Sequence, residues 1–209
     1  AAVAGRAIGV MMCLQGSLHP LQFHPAYSEV AHLPLEDRVQ ALMAPDRRSR
    51  IIDEEPIGFA EIMMGVYAKS FLVHGANIDY EPDPRDNIYG VATKLGVKPI
   101  QVLLDHMCSD RGNGMIYMPF FGYNYGDLSF VEAVQQHPHT RIGLGDAGAH
   151  CGAICDGGIP TFMLTHWVRD RARGSKMSLE HVVHRQTRET ATTYGLMDRG
   201  AIVPGLRAD

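Results

Sequence analysis

The chain has 209 residues, of which 45% are hydrophobic and 20% are charged, and 19 Lys and Arg against 23 Asp and Glu give a formal charge of −4. This composition excludes intrinsic disorder, and the acidic excess argues against nucleic acid or an anionic membrane as a partner. No apolar run approaches the roughly 20 residues that a membrane-spanning helix needs. The first 16 residues lack a basic start and a cleavage-like site, so we expect a cytoplasmic protein.

Short apolar runs alternate with segments of helical periodicity, which is typical of an α/β fold. The pattern predicts strands over 6–14, 70–75, 115–121 and 140–144. It predicts helices over 35–43, 87–94, 100–107, 128–136, 161–172 and 179–194. We expect Pro45 to end the first helix, Asp127 and Ser178 to cap the fourth and the last, and Gly195 to end the last.

The densest polar cluster, GLGDAGAHCGAICDGG over 143–158, follows the strand predicted at 140–144. The carboxyl ends of parallel strands face the active site in α/β folds, so Asp146 is the candidate catalytic carboxylate. Its neighbours Gly145 and Gly148 permit unusual backbone angles and the close approach of a ligand. The alternative, that Asp146 only caps the following loop, stays open on the local sequence.

Two segments resemble the C-terminal part of the D-aminoacylase (N-acyl-D-amino-acid deacylase) branch of the metal-dependent amidohydrolases. They are 140–170, TRIGLGDAGAHCGAICDGGIPTFMLTHWVRD, and 193–209, TYGLMDRGAIVPGLRAD; HPAYSEVAHLPLEDRVQALMAPDRRSRII over 24–52 is also similar to that family. The resemblance implies the C-terminal part of a (β/α)8 barrel. A complete barrel needs about 250 residues, so we expect an incomplete one over 1–198, with a long loop and helical insertion. Residues 199–209 would start a return strand to a small β domain.

The resemblance also implies the chemistry. Asp146 would be the general base and then the general acid, and a possible metal ligand, while His150 and Asp156 would shape the polar wall of the substrate pocket. The cofactor would be a divalent metal, zinc in this reading, whose other ligands would precede residue 1. The implied partner is a small molecule, an N-acyl-D-amino acid or a related amide, and we expect the isolated chain to be inactive. A cyclic-amide hydrolase, or a non-catalytic binding or assembly protein on the same scaffold, are the alternatives.

Three other groups could carry chemistry. His137 and His139 form a His-x-His, but His139 lies about 20 Å from Asp146 if an extended strand separates them, so we expect a surface turn. His150, Cys151, Cys155 and Asp156 could hold a soft metal, although their spacing is not a usual zinc pattern. The segment 15–27, with His19 and His24, is either a lid over an active site or a surface excursion with solvated histidines. We interpret the arginines of 168–176 as a solvated face.

Overall fold

The computed structural model describes residues 1–57, 60–75, 78–145 and 156–207. The strands are β1 (Ala2–Ala4), β2 (Ile8–Met12), β3 (Phe71–Val73), β4 (Met115–Phe121) and β5 (Arg141–Leu144). The α-helices are α1 (Pro25–Ser28), α2 (Leu35–Met43), α3 (Pro45–Asp53), α4 (Ala60–Lys69), α5 (Ile88–Leu95), α6 (Pro99–Gly112), α7 (Ser129–Gln136), α8 (Ile159–Phe162), α9 (Leu179–Gln186) and α10 (Arg188–Thr193). The predicted mixed α/β class is therefore confirmed.

The described residues divide into two compact units, one built from 1–8, 120–145 and 156–207 and the other from 9–119 without its gaps. The first unit contains the parallel pair of β1 and β5. Strands β2, β4 and β3 form a three-stranded sheet in that order, and β3 runs antiparallel to β4. No helix in the described part of the chain is long and apolar enough to cross a bilayer.

Helices provide most of the core of the second unit. Leu42 of α2, Ile51 of α3, Leu103 and Met107 of α6, and Ile116 of β4 are fully buried there. Pro45 does not only end α2, as expected, but also occupies the first turn of α3, because its fixed φ and missing N–H suit a helix start. A short α2–α3 corner results, and both helices contact α6.

The helical geometry of α6 ends before its last residues. Ser109 is extended, and Asp110 and Arg111 adopt φ of 46° and 57°. Gly112 has φ of 88°, and a Cβ there would lie 2.8 Å from Val39 Cγ2. Only glycine fits this position, because the turn needs both the left-handed backbone and the close approach to α2.

The helices of the first unit differ in detail from the sequence prediction. The helix expected over 161–172 is α8 followed by a π-helical stretch, Met163–Asp170. The helix expected over 179–194 is split into α9 and α10 at Thr187, whose φ of −117° and ψ of −88° are not helical. Ser178 caps α9 as predicted, with Oγ accepting from His181 N over 3.2 Å, and Gly195 follows α10 with φ of 74°.

The start of α7 also differs from prediction. The N-cap position is Leu128, and Asp127 lies one residue earlier. Asp127 Oδ1 still accepts from Ser129 N over 2.9 Å, so the carboxylate binds the first turn from outside the helix, in an Asx-type turn.

At the other end of the chain, residues 199–207 form turns, in which Arg207 N donates to Asp198 O over 2.7 Å.

Candidate active site

The strand predicted to carry the active site is β5. It pairs in parallel with β1 in the register Ala2 with Arg141 and Val3 with Ile142, and the register shifts before Ala4 meets Leu144. The described chain continues to Gly145 and resumes at Asp156. The candidate base Asp146, the candidate substrate residue His150 and the pair Cys151 and Cys155 lie outside the described residues.

A cavity of about 420 Å³ lies at the end of β5. Its walls combine glycine backbone, apolar side chains and two uncharged polar side chains: Ile142, Gly143, Gly145, Gly157, Ile159, Pro160, Gln186 and Thr190. The three glycines leave room for a ligand near the backbone. None of these eight residues is charged, so the described walls suit an apolar or uncharged group.

Asp156, the predicted substrate residue that the structure does describe, is buried and paired with Arg6. Arg6 Nη2 donates to Asp156 Oδ1 over 3.0 Å, and only 5% and 4% of the two side chains are exposed. The Arg6 guanidinium also lies 5.8 Å from the ring centre of Phe162. The Asp156 carboxylate therefore neutralises a buried cation inside the first unit.

The backbone beside Arg6 is fixed by side chains from α7 and the π-helical stretch. Gly5 O accepts from Trp167 Nε1 over 2.6 Å and from Gln135 Nε2 over 2.9 Å. A Cβ on Gly5 would lie 2.6 Å from Ile159 Cγ2, so only glycine allows α8 to pack this closely. Gly5, which follows β1, is therefore held firmly against α7, α8 and the π-helical stretch.

A second polar network holds the beginning of β5. Arg141 Nη1 and Arg185 Nη1 lie 3.1 and 3.0 Å from carboxylate oxygens of Glu189, which is partly exposed. Arg185 Nη2 donates to Gln135 O and, over 3.3 Å, to Thr140 Oγ1. Because Arg185 is buried, its contacts connect α7, α9 and α10 to β5 with little competition from water.

The arginines of 168–176 do not all form a solvated face, so that interpretation was wrong for one of them. Arg171 is buried, donates to Glu132 Oε2 over 2.6 Å, and lies 4.4 Å above the Trp167 ring. Packing on an aromatic ring removes the apolar faces of the guanidinium from water. Its neighbour Arg169 is exposed, as expected, and pairs with Asp170.

His137 and His139 occupy an exposed turn before β5, and the predicted surface turn is confirmed. Their ring centres are 5.5 Å apart, and His139 N donates to His137 Nδ1 over 3.2 Å. His139 O accepts from the N-terminal amine of Ala1 over 2.7 Å. Across the described ranges, no three His, Cys, Asp or Glu residues are grouped so as to hold a metal ion.

The segment 15–27 belongs to the second unit, and its histidines test one of the two interpretations left open for it. It contains a 3-10 turn, Pro20–Phe23, followed by α1, and both of its histidines are buried. Burial and the nearby charge of Arg38 lower the pKa of His19 to about 4. Burial also lowers the pKa of His24, although the Glu54 carboxylate 3.5 Å away opposes this. The alternative of a surface excursion with solvated histidines is therefore wrong.

Sequence reasoning missed Arg6, Arg185 and Glu189 as residues that support this region. A weak signal exists for Arg6, a lone cation within an apolar stretch, since such a residue is either exposed or paired. No local signal identifies its partner, because Asp156 is 150 residues away.

Comparison of the chain with protein-family models, with curated proteins and with solved structures found no match.

Proposed function

We propose that the protein is a metal-dependent hydrolase of C–N amide bonds that deacylates N-acyl-D-amino acids, built on the C-terminal part of a (β/α)8 barrel. The observation that carries the proposal is the parallel strand β5, which runs directly into Gly145 and Asp146. A carboxylate after a parallel strand is in the usual position for catalysis in α/β folds. The resemblance of 140–170 and 193–209 to the D-aminoacylase branch supplies the reaction class.

The role proposed for Asp146 is proton transfer. It takes a proton from the attacking water and returns it to the leaving amine, which must be protonated to depart. A bound zinc would polarise the amide carbonyl and lower the pKa of the water. The described residues do not form a zinc site on their own, and on this proposal the remaining ligands precede Ala1.

The surroundings of β5 support a site that is held in place before substrate binds. The segment from Asp146 to Cys155 is bounded by the pairing of Leu144 with Ala4 and by the ion pair of Asp156 with Arg6. The uncharged cavity beside Gly145 and Gly157 suits an acyl group or an apolar amino-acid side chain. On this proposal the ion pair with Arg6 anchors Asp156, the predicted substrate residue, at the end of this segment.

The proposal is tested by adding N-acetyl-D-leucine to the complete, zinc-loaded gene product and following release of free amine. We expect hydrolysis that a chelator abolishes, and a cyclic amide serves as the competing substrate. Faster opening of the cyclic amide would favour the ring-opening alternative. No turnover of either amide, with zinc bound and the protein folded, would reject the enzyme and favour a binding or assembly protein.

Two variants test the residue assignment. Asp146→Asn keeps the side-chain size but removes the proton acceptor, so kcat should fall by at least the ~10²-fold typical of losing a general acid or base. His139→Ala is the matched control, because His139 lies in the exposed turn before β5, and its kcat should change by no more than a few-fold. A fully active Asp146→Asn enzyme, or a folded but inactive His139→Ala enzyme, would show that the active face is at the other end of the strand.

A further inference from the structure

A second cavity, of about 400 Å³, lies within the second unit beside the segment 15–27. Its polar walls come from the chain after β2, the 3-10 turn, α1 and α2: Gln15, His19, Gln22, Tyr27, Ser28 and Arg38. We propose that this cavity, which we name the Arg38 pocket, binds a small organic carboxylate. The proposal goes beyond the deacylase function and does not depend on it.

The charge of the pocket is the first argument. Arg38 donates only to neutral oxygens, namely Leu33 O over 2.9 Å, Leu14 O over 2.9 Å and Tyr27 Oη over 3.2 Å. Arg38 has no carboxylate within ion-pair distance among the described residues, and none of the residues lining the pocket is acidic. The partly buried guanidinium therefore gives the pocket one uncompensated positive charge.

The direction of the hydrogen bonds adds a second argument. Arg38 can only donate, so Tyr27 Oη accepts from it and its own proton is available for His19 Nε2, 3.0 Å away. Either tautomer of His19 can make this contact, because a hydroxyl can donate one hydrogen bond and accept two. Arg38, Tyr27 and His19 thus bring no negative charge to the wall of the pocket.

The two amides on the pocket wall also have donors to spare. Gln15 Nε2 donates one hydrogen to Asn113 Oδ1 over 3.0 Å, and Gln22 Nε2 donates one to Ser17 O over 3.2 Å. Each NH₂ group has a second hydrogen. Arg38 Nε also donates to Leu33 O over 3.3 Å, so with the three contacts above Arg38 uses four of its five N–H groups. An excess of donors around one cation suits a ligand that offers only acceptors and one negative charge.

The size of the Arg38 pocket and its single positive charge favour a carboxylate over other anions. One cation matches a singly charged ligand, whereas phosphate sites in proteins usually combine several cations or a series of backbone N–H groups. A volume of about 400 Å³ is near the lower end of ligand pockets, so the ligand should be about the size of an amino acid. Leu14 and Ala31 give the cavity a small apolar wall for the carbon chain.

The test is calorimetric titration of the purified chain with butyrate at pH 7.5 and constant ionic strength. Butyramide has the same shape without the charge, and inorganic phosphate is the competing anion. We expect saturable binding of butyrate and at least about tenfold weaker binding of butyramide and phosphate, because charged hydrogen bonds are the stronger ones. Equal binding of acid and amide, tighter binding of phosphate, or no binding of butyrate would overturn the proposal.

Two charge variants locate the site. Gln15→Glu adds a negative charge at the exposed rim of the pocket and should weaken butyrate binding by about three- to tenfold. Gln40→Glu adds the same charge at an exposed position of α2 that does not line the pocket, and should change the affinity less than about twofold.

Arg38→Gln should abolish butyrate binding. If the loss of the Arg38 contacts to Leu14 and Leu33 unfolds that variant, the affinity of Gln15→Glu for butyrate tests the site instead. Unchanged affinity in Gln15→Glu would place the ligand elsewhere.

Discussion

Arg6 Nη2 and Asp156 Oδ1 are 3.0 Å apart, and the two buried side chains join positions that are 150 residues apart in the sequence. Arg6 follows β1 by two residues, and Asp156 is the first described residue after the segment that carries the candidate base. On the other side of that segment, Leu144 at the end of β5 pairs with Ala4 at the end of β1. The described residues on both sides of 146–155 therefore contact one short stretch of chain, 4–6.

This pair leads to a prediction on stability. Asp156→Asn removes the negative charge that faces the buried Arg6 guanidinium, and should lower the free energy of unfolding by about 3–5 kcal/mol. The double variant Arg6→Met with Asp156→Leu removes both charges and should recover most of that loss. Asp86→Asn breaks the exposed contact of Asp86 with Lys94 and should have a much smaller effect. Urea unfolding measures all three variants, and an Asp156→Asn protein as stable as the wild type would show that the buried pair does not stabilise the fold.

The packing at Gly5 leads to a second prediction. Gly5→Ala would place a Cβ 2.6 Å from Ile159 Cγ2 and 2.8 Å from Met163 Sδ, so it should destabilise the protein by about 1–3 kcal/mol. In α4, a Cβ added to Gly65 would meet no described atom within 4 Å outside its own helix backbone and chain neighbours, so Gly65→Ala should stabilise by about 0.5–1 kcal/mol. Opposite signs of the two substitutions in thermal unfolding are the expected result. The same sign for both would contradict the close packing of α8 on Gly5.

Local patterns predicted the elements whose boundaries depend on nearby residues. The boundaries of α2 and β4 match the predicted ranges, and Ser178 caps α9, because periodicity and capping are properties of a few adjacent side chains. The break at Thr187 was not predictable in this way. Next to the break, Arg185 donates to Gln135 O and Thr140 Oγ1, and such contacts between residues distant in sequence are not part of a local pattern.

The candidate site was predictable only as a position along the sequence. The order of strand, glycine and aspartate at Asp146 is a local signal, and β5 does end where the sequence predicts. The role of Asp156 depends on Arg6, and the burial of His19 depends on Tyr27 and Arg38, none of which the local sequence reveals. A charged or polar residue has the same local signature on a surface as in a buried network.

A third prediction concerns the metal. A catalytic zinc generally needs three protein ligands, and only Asp146 is assigned in this chain, so the 209-residue chain purified alone should retain substantially less than one zinc after dialysis. Elemental analysis of the dialysed protein provides the measurement. Stoichiometric, dialysis-resistant zinc would contradict the assignment and make His150, Cys151 and Cys155 the first ligands to substitute. Loss of that zinc in a Cys151→Ser variant would then identify the site.

The last prediction uses the low pKa of His19. Burial and the Arg38 charge lower it to about 4, whereas an unfolded histidine has a pKa near 6.5. Between these values the unfolded chain binds the extra proton, so the free energy of unfolding should fall by up to about 3 kcal/mol as the pH drops from 6.5 to 4. The slope of the free energy of unfolding against pH reports how many more protons the unfolded chain binds. Between pH 5 and 6, His19→Gln should lower this number by nearly one, and His24 and His106 should account for the remaining slope. Urea unfolding at pH 5, 6 and 7 measures the slope. An unchanged slope in His19→Gln would mean that His19 binds its proton equally well in the native and unfolded states.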